Sequence, residues 1–293
     1  MDVVVAFRDR DGGYVRHVAA MLASLFAAVT CPLRVHVLHD ETLTPASAQR
    51  LAAMAQRAGQ QLELHALDPR RCLPGIDESS PIMQPLTFAT LYRLFIPTLP
   101  ELAACPRLLY LDTDIIVDID LEELWNTDLG DALLGAVPDP CLNGALTRTP
   151  TDARSRWAHE VARYSLRHGI PMSRYFNAGV LLLDMHRIVE QGLFAQAAAI
   201  VLGNPNLLHP DQDALNKVFF DKSRFVPEKF NYLLHSVDVS GRERGVWHYS
   251  GPDKPWNTET QKADRYRFFA AQTPWANTPN IPDTPAATTG EPA

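Results

Sequence analysis

Two carboxylates separated by one residue follow an apolar run near the middle of the chain. Leu109–Leu111 is apolar, Asp112 and Asp114 come next, and Ile115–Val117 resumes the apolar pattern. Aspartate is disfavoured in strands, so two of them at a strand end need a reason. Carboxylate oxygens are ligands for hard divalent cations, and ligands of open α/β sheets bind at the carboxyl edge. The pattern predicts a site for a divalent cation or its diphosphate ligand; a solvated acidic turn is the alternative.

A second candidate site lies far downstream, where residues 247–256 read W-H-Y-S-G-P-D-K-P-W. His248 follows a predicted strand at Val246–Trp247, and imidazole is a good ligand for transition-series divalent ions. Gly251 lets a phosphate approach the backbone closely, and Lys254 supplies a point charge for phosphate. A diphosphate–metal site requires such a combination. The alternative is a surface turn rich in proline and tryptophan.

Three other stretches place polar groups in apolar or helical surroundings. Asn177 and Gly179 interrupt an otherwise apolar predicted strand. Asp211 and Asp213 lie in the first turn of a predicted helix, where acidic residues are ordinary capping chemistry. Arg93 lies in a largely apolar predicted helix. A buried arginine needs an anionic partner, here either a structural carboxylate or a phosphate.

The elements that must position these residues alternate along the first part of the chain. Short apolar runs predict strands, and apolar residues at helical spacing predict helices. Gly59 is placed to end the second helix. The resulting β-α-β-α-β order implies a mostly parallel sheet with helices on both faces. The predicted strands span 3–6, 33–38, 62–67, 108–111, 133–137 and 180–183, and the predicted helices 14–29, 45–58, 86–96, 152–168, 194–202 and 211–220.

Composition excludes several classes of protein. The chain has 293 residues, 46% of them apolar, and 34 acidic against 27 basic side chains give a formal charge of −7. The chain is too apolar to be wholly disordered, and it is too acidic to be a generic nucleic-acid-binding protein. The four cysteines contain no C-x-x-C pair, which fits neither a disulfide scaffold nor a cysteine zinc site. They indicate a reducing compartment and a cytoplasmic location. The cysteines are Cys31, Cys72, Cys105 and Cys141.

Two segments bear on membranes. The charge-free stretch His17–Leu33 is 17 residues long, whereas a membrane-spanning helix needs about 20 apolar residues. No basic region precedes it, so a core helix is favoured over a signal peptide. Residues 265–269 interleave arginine with Tyr266, Phe268 and Phe269. They predict either a helix that packs these rings on the core or a peripheral anchor at the inner membrane face.

Taken in order, these elements resemble the retaining glycosyltransferases of family 8, which include lipooligosaccharide galactosyl- and glucosyltransferases and the glycogenins. The resemblance runs from residue 3 to about residue 256. Its most specific motif is H-Y-x-G-x-x-K-P-W, and D-x-D is the least specific; F-N-A-G-V-L-L-L-D and D-Q-D-x-L-N lie between. The resemblance implies a GT-A-type fold over residues 1–258. A helical, aromatic segment at 259–276 and a disordered tail at 277–293, rich in Pro, Thr and Ala, would follow.

The resemblance also implies a role for each matching residue. Asp112, Asp114 and His248 would hold Mn²⁺, or Mg²⁺, against the diphosphate of a UDP-sugar. Gln212 and Asp211 would be the catalytic pair beside the donor sugar, and the loop at 72–85 would fold over the donor. The other implied donor contacts are Ala6 and Asp9 at the nucleoside, Thr113, Gly251 and Lys254 at the diphosphate end, and Arg93 and Asn177 around the sugar.

One position departs from the family pattern. After the first strand the family reads A-x-D-x-x-Y, whereas this chain reads A-F-R-D-R-D at residues 6–11. Arg8 therefore stands where the family has the carboxylate that would accept from the uracil N3–H, and arginine has no acceptor. Either Asp9 or backbone carbonyls take over, or the base is not uracil.

The expected function is metal-dependent transfer of galactose or glucose from a UDP-sugar to a saccharide or lipid-linked saccharide, as in lipopolysaccharide synthesis, with the α configuration kept. No well-placed glutamate nucleophile is apparent, so a same-face substitution is implied. One rival is a sugar-1-phosphate nucleotidyltransferase, which should show a glycine-rich basic loop after the first strand. The other is a sugar-nucleotide-binding protein without transferase activity, against which the full set of metal ligands argues.

Overall fold

A computed structural model of the chain describes residues 1–72, 74, 88–143 and 153–278. Strands and helices alternate from residue 2 to residue 66, as the sequence predicts, whereas further along the chain strands also follow strands and helices follow helices. The strands are β1 (Asp2–Ala6), β2 (Arg34–His39), β3 (Gln61–Ala66), β4 (Arg107–Leu111), β5 (Ile115–Val117), β6 (Leu134–Pro138), β7 (Phe176–Asp184), β8 (Ser223–Phe225), β9 (Tyr232–Leu233) and β10 (Val246–His248). The α-helices are α1 (Val15–Ala28), α2 (Pro45–Arg57), α3 (Pro69–Cys72), α4 (Phe88–Tyr92), α5 (Pro100–Ala103), α6 (Glu122–Trp125), α7 (Ala153–His168), α8 (Met185–Glu190), α9 (Leu193–Gly203), α10 (Pro210–Val218) and α11 (Ala263–Ala270).

Seven strands form the main sheet in the order β3-β2-β1-β4-β7-β6-β8. The pairs β3/β2, β2/β1, β1/β4 and β6/β8 are parallel, whereas β7 runs antiparallel to both β4 and β6. Apolar clusters cover both faces of this sheet. The prediction of a mostly parallel sheet with helices on both faces is therefore confirmed, with β7 as the strand that reverses direction.

Local sequence explains where the second helix begins and ends. The Thr44 side chain accepts from the Ser47 backbone N–H at 3.2 Å, and Pro45 occupies the first turn, where its missing N–H costs nothing. Gly59 follows the helix with φ of +69°, a left-handed conformation that glycine adopts without strain. The predicted stop at Gly59 is confirmed.

The predicted helix over 86–96 differs from the structure in its described part. The α-helix ends at Tyr92, and a 3₁₀ helix continues over Arg93–Thr98 with Pro97 inside it. Proline lacks the N–H that an α-helix would bond four residues back, and its ring crowds the carbonyl there. Other predictions lie partly or wholly outside the described residues: most of the loop at 72–85, and the tail from residue 279 onward.

A second, three-stranded sheet in the order β5-β10-β9 lies beyond the end of β4. In its antiparallel pairing with β5, β10 places His248 opposite Ile115. Ile115 comes directly after Asp114 in the chain. This small sheet therefore brings the C-terminal histidine motif to the aspartate motif, which is 134 residues earlier (248 − 114).

The aromatic segment near the C-terminus packs largely on the core. In α11, Tyr266 and Phe269 are buried, whereas Phe268 is 55% exposed. Tyr266 and Phe269 are three positions apart and therefore share one face of the helix, whereas Phe268 points away from that face. Arg265 bonds Asp118 through two nitrogens, at 2.7 and 2.9 Å. The core-packing expectation is confirmed for Tyr266 and Phe269 and is wrong for Phe268.

The apolar stretch that begins at His17 forms most of α1, whose residues are largely buried. The core-helix prediction is therefore confirmed. Within the part of the chain that the structure describes, none of the helices has both the length and the apolar character needed to cross a bilayer.

His17 ties α1 to the C-terminal segment. Its ring stacks on Trp256 with centroids 3.9 Å apart, and its Nδ1 lies 2.6 Å from the Tyr266 hydroxyl oxygen. Burial, reinforced by the positive charges of Arg16 and Lys254, lowers the pKa of His17 to about 3. His17 is therefore neutral in the folded protein at pH values where an unfolded chain would protonate it.

This histidine predicts an acid-sensitive stability. Its pKa is lower in the folded chain than in the unfolded one, so the unfolded chain binds the extra proton between pH 3 and 6.5 and stability is lost as the pH falls below 6.5. The loss from this group should be about 2 kcal/mol between pH 7 and pH 5. In urea unfolding, the free energy of unfolding of His17→Gln should therefore fall between pH 7 and pH 5 by about 2 kcal/mol less than that of the unsubstituted chain. His186→Gln, at an exposed position, is the control; equal pH dependence in both variants would contradict the prediction.

Candidate functional site

Asp112, Asp114 and His248 converge at the carboxyl end of β4. The His248 Nε2 atom lies 3.3 Å from Asp114 Oδ1 and 3.8 Å from Asp112 Oδ2. One ligand atom of each residue lies within 4.8 Å of the others. Two ligands of one ion at about 2.1 Å each can be separated by up to about 4.2 Å, so these two measured separations fit a shared cation. Carboxylate oxygens suit Mg²⁺ and Mn²⁺, whereas imidazole suits transition-series divalent ions.

Gly179 makes room for this cluster. Its carbonyl accepts from the Asp112 backbone N–H at 2.8 Å, so β7 passes directly beside the carboxylates. A Cβ atom on Gly179 would lie 2.3 Å from His248 Cε1 and 2.8 Å from Asp112 Oδ2. Only glycine therefore allows the ring and the carboxylate to meet here. The sequence shows a glycine in an apolar strand but not the crowding that requires it.

His248 is held in one orientation by an asparagine. Its Nδ1 lies 2.8 Å from the Asn231 Oδ1, and Asn231 in turn donates to the Asn177 Oδ1 at 2.8 Å. With the Asn231 oxygen accepting, Nδ1 carries the proton and Nε2 presents its lone pair to Asp112 and Asp114. Metal-binding histidines are commonly fixed in this way by a partner on the other nitrogen. Asn231 is a site residue that the sequence analysis missed.

Lys254 neutralises Asp114. Its Nζ donates to Asp114 Oδ2 at 2.6 Å and to the Tyr249 carbonyl oxygen at 2.6 Å. Burial alone would raise the pKa of Asp114, but Lys254 and His248 outweigh it and hold that pKa well below the ordinary value. Asp114 is therefore ionised, with Oδ1 turned toward His248.

Arg93 is the buried cation of the site. Its Nη2 donates to Asp112 Oδ1 at 2.7 Å, and its Nε lies 3.0 Å from Asp211 Oδ2. The guanidinium also lies 4.4 Å from the centroid of the Tyr110 ring. The sequence left either a carboxylate or a phosphate as the partner of Arg93, and the structure shows two carboxylates. Burial raises the pKa of Asp211 even though Arg93 favours its charged form.

Gln212 is fixed by four hydrogen bonds. Its Oε1 accepts from the Ala178 backbone N–H at 2.9 Å and from Asn177 Nδ2 at 3.0 Å. Its Nε2 donates to the Tyr175 hydroxyl at 3.3 Å and to Asp139 Oδ2 at 3.4 Å. Because the Ala178 N–H can only donate, the orientation of the amide is determined. The side chain is a rigid, buried polar group with little nucleophilic character.

Asp139 and Tyr175 are further residues that the sequence analysis missed. Asp139 follows β6 at the carboxyl edge of the sheet, as Asp112 follows β4. An aspartate directly after a predicted strand could therefore have identified Asp139 from the sequence. Tyr175 donates to Asp213 Oδ1 at 2.5 Å, and Tyr164 donates to Asp213 Oδ2 at 2.5 Å. Asp213 therefore anchors two tyrosines and does more than cap a helix.

The end of β1 forms a separate polar cluster. Ala6 is buried as the last residue of β1. Asp9 Oδ1 accepts from the Val15 backbone N–H at 3.0 Å, and its Oδ2 has no hydrogen-bond partner among the described residues. Burial raises the pKa of Asp9. Arg8 forms an ion pair with Asp40. Asp40 also accepts a hydrogen bond from the Tyr92 hydroxyl at 2.8 Å.

Two predicted residues lie at the borders of the site. The Thr113 hydroxyl lies 3.1 Å from that of Tyr14, which joins the aspartate motif to the start of α1. Gly251 is exposed, with φ of +128°, in the turn three residues before Lys254. That backbone conformation favours glycine. Tyr14 was not singled out from the sequence.

Comparison with known proteins identifies the family of this arrangement. The model of "Glycosyl transferase family 8" matches residues 5–260. The chain is 24% identical to "General stress protein A" of Bacillus subtilis (strain 168), covering 90% of this chain and 92% of that protein. It is 25% identical to a "Lipopolysaccharide 1,2-glucosyltransferase" of Escherichia coli (strain K12), covering 78% of this chain. The match covers 65% of that transferase, so the chain spans less than two thirds of its length.

A solved structure supports the same assignment. The galactosyltransferase LgtC, in complex with donor and acceptor sugar analogs, superposes with a TM-score of 0.73 at 26% sequence identity. The similarity covers 94% of this chain and 96% of LgtC. The predicted GT-A-type fold is confirmed by this likeness.

The crowding at Gly179 predicts a specific loss. Gly179→Ala should lower the free energy of unfolding by about 1–3 kcal/mol, because the added methyl must displace His248 or Asp112 in a packed strand. It should also weaken Mn²⁺ binding, measured by calorimetry. Gly203→Ala is the matched control, since a Cβ there meets nothing within 4 Å. Urea unfolding that shows Gly179→Ala to be as stable as Gly203→Ala would refute the argument.

Proposed function

Since the chain belongs to glycosyltransferase family 8, we propose that it transfers a hexose, galactose or glucose, from a UDP-sugar to a saccharide acceptor with retention of configuration. The observation that carries the proposal is the convergence of Asp112, Asp114 and His248, with Lys254 beside them, at the carboxyl end of β4. Ligands of open α/β sheets bind at this edge.

The diphosphate is assigned to the space between the carboxylates and Lys254. A divalent cation held by Asp112, Asp114 and His248 would, when bound, stabilise charge on the leaving diphosphate. An ammonium group has three N–H donors, and Lys254 uses two of them on Asp114 and the Tyr249 carbonyl. The third is left for a phosphate oxygen. The exposed turn at Gly251 lets the phosphate approach the backbone.

The donor sugar is assigned to the wall formed by Arg93, Asn177, Asp211 and Gln212. Asp211 can bond sugar hydroxyls: burial raises its pKa, but Arg93 at 3.0 Å favours the ionised form, which can only accept. In the same-face route, the acceptor oxygen bonds the anomeric carbon as the bond from that carbon to the phosphate oxygen breaks. The hydroxyl proton passes to the departing phosphate. Gln212, already fixed by four bonds, orients the sugar and acceptor and stabilises positive charge at the anomeric carbon.

The nucleoside is assigned to the polar cluster at Ala6 and Asp9. Arg8 is ion-paired with Asp40, so we assign the contact with the base to its neighbour Asp9. The second oxygen of Asp9 has no partner among the described residues, and a carboxylate oxygen is the acceptor that the uracil N3–H needs. We therefore assign to Asp9 the role that the family gives to the carboxylate at the position of Arg8. We assign Thr113, which lies between Asp112 and Asp114 in the chain, to the diphosphate.

The acceptor is proposed to be a saccharide or lipid-linked saccharide, because two relatives are named as a lipopolysaccharide 1,2-glucosyltransferase and a lipopolysaccharide 1,3-galactosyltransferase. We propose a transferase domain over 1–258, a helical segment over 259–276 and a tail from 277, in a cytoplasmic enzyme. Phe268 is the exposed aromatic residue of α11 through which peripheral membrane contact would occur.

The decisive experiment measures hydrolysis of UDP-galactose and UDP-glucose with Mn²⁺ and with EDTA. Turnover should require the metal, and Asp114→Asn should reduce it by roughly 100-fold or more, because a ligand to the developing charge is lost. Asp184→Asn is the matched control: it removes a carboxylate that is paired with Arg187 at 2.7 Å, and it lies opposite Arg107 at the start of β4, the end away from the metal cluster. Equal turnover in the two variants, with similar melting temperatures, would exclude the assigned metal role.

Gln212 separates the same-face route from a covalent one. Gln212→Ala should lower kcat by about 10–100-fold, which is roughly 1.4–2.7 kcal/mol of transition-state stabilisation. Gln196→Ala, in α9 rather than at this wall, should leave kcat unchanged. Intact-protein mass spectrometry of native turnover mixtures should show no hexose on Asp211 or Gln212. A hexose found on either residue would overturn the same-face proposal, because it would identify a covalent intermediate.

A further inference from the structure

Two imidazoles and a carboxylate meet on the neighbouring strands β2 and β3, which β1 separates from β4. His36 of β2 is in register with Glu63 of β3, and His65 lies two residues further along β3, on the same face. His36 Nδ1 is 3.0 Å from His65 Nε2 and 3.4 Å from Glu63 Oε2. Glu63 Oε2 is 3.9 Å from His65 Nε2. Three potential metal ligands therefore point at one another.

These separations match a tetrahedral metal site. Ligand atoms that lie about 2.1 Å from a tetrahedral ion are separated by about 3.4 Å. The three measured distances, 3.0, 3.4 and 3.9 Å, lie on both sides of that value. One ion can therefore contact all three ligands with small side-chain adjustments.

A second carboxylate supports His36 from behind. Asp2 Oδ1 lies 3.3 Å from His36 Nε2, and Arg34 donates to the same oxygen. With Asp2 accepting from Nε2–H, Nδ1 presents its lone pair to Glu63 and His65. Such a carboxylate–histidine pair is the usual support of a metal-binding imidazole. This arrangement fixes the ring before any ion binds.

The cluster is buried at its base and open at its rim. His36 is 1% exposed, and its neighbours on this face of the sheet include the buried Val4 and Leu38. The Glu63 side chain is 43% exposed, so an ion can enter from solvent and a water can be the fourth ligand. Polar side chains on an apolar sheet face are costly unless they are paired or bind metal.

We propose that His36, Glu63 and His65 form a second metal site, which binds Zn²⁺ or a similar late divalent cation. Two nitrogen ligands with one carboxylate are typical of zinc, whereas the two carboxylates at Asp112 and Asp114 suit harder ions. The ion would tie β3, the edge strand of the sheet, to β2. β1 separates these strands from β4, and the proposal does not depend on the transferase activity.

The test uses the 293-residue chain carrying Asp114→Asn, which weakens the other cluster. After chelator treatment, ZnCl₂ titration by calorimetry should show one ion bound through the new site, and Zn²⁺ should raise the melting temperature. Adding Glu63→Gln or His65→Gln should weaken this binding by at least about 10-fold and abolish the shift. Co²⁺ should give the intense visible absorption of a tetrahedral complex in the parent only.

The controls make the same chemical changes at exposed positions on α8. Glu190→Gln and His186→Gln should bind Zn²⁺ as the parent does. Because Glu63 is partly exposed, Glu63→Gln should fold, and circular dichroism of the metal-free variant checks this. If His65→Gln does not fold, the result for Glu63→Gln decides the test. Equal Zn²⁺ affinity in cluster and control variants, or no Zn²⁺ bound by the parent, would leave a metal-free hydrogen-bonded histidine pair and overturn the proposal.

Discussion

The buried ion pairs of Arg93 are the interaction on which the rest of the candidate site depends. Asp112 and Asp211 come from distant parts of the chain and approach each other because one guanidinium contacts both. Removing one partner of such a buried group is strongly destabilising, by about 3–5 kcal/mol, since an uncompensated charge stays buried. Arg93 begins the 3₁₀ helix that follows α4, so the position of that helix fixes the end of β4 and the start of α10 together.

The reversed direction of β7 explains how the remaining groups reach the same place. In a purely parallel sheet, the start of this strand would lie at the edge opposite Asp112. Because β7 is antiparallel to β4, Asn177 and Gly179 at its start lie where β4 ends. The small sheet adds His248 by pairing β10 with β5. Three chain segments thus converge through backbone pairing alone, before any side chain interacts.

Sequence predicted the strands and helices well where periodicity and end signals were strong, as in the helix over 45–58 and its end at Gly59. It also singled out Asp112 and Asp114, because aspartate is disfavoured in strands, and His248, because an imidazole stands close to Gly251 and Lys254 in the sequence. It missed Asn231, which holds His248, because hydrogen bonds between distant side chains leave no periodic trace in the sequence. For the same reason the partners of Arg93 could be narrowed to a carboxylate or a phosphate but not chosen.

The charges of the site constrain how the proposed donor can bind. In the described part of the chain, Asp112, Asp114 and Asp211 pair with two cations, Arg93 and Lys254, and both cations already contact carboxylates. A diphosphate entering this space alone would meet Asp112 and Asp114 with only one free Lys254 proton to offset the repulsion. Like charges in a poorly solvated site raise the free energy steeply. The residues therefore favour a donor that arrives with a divalent cation over the nucleotide by itself.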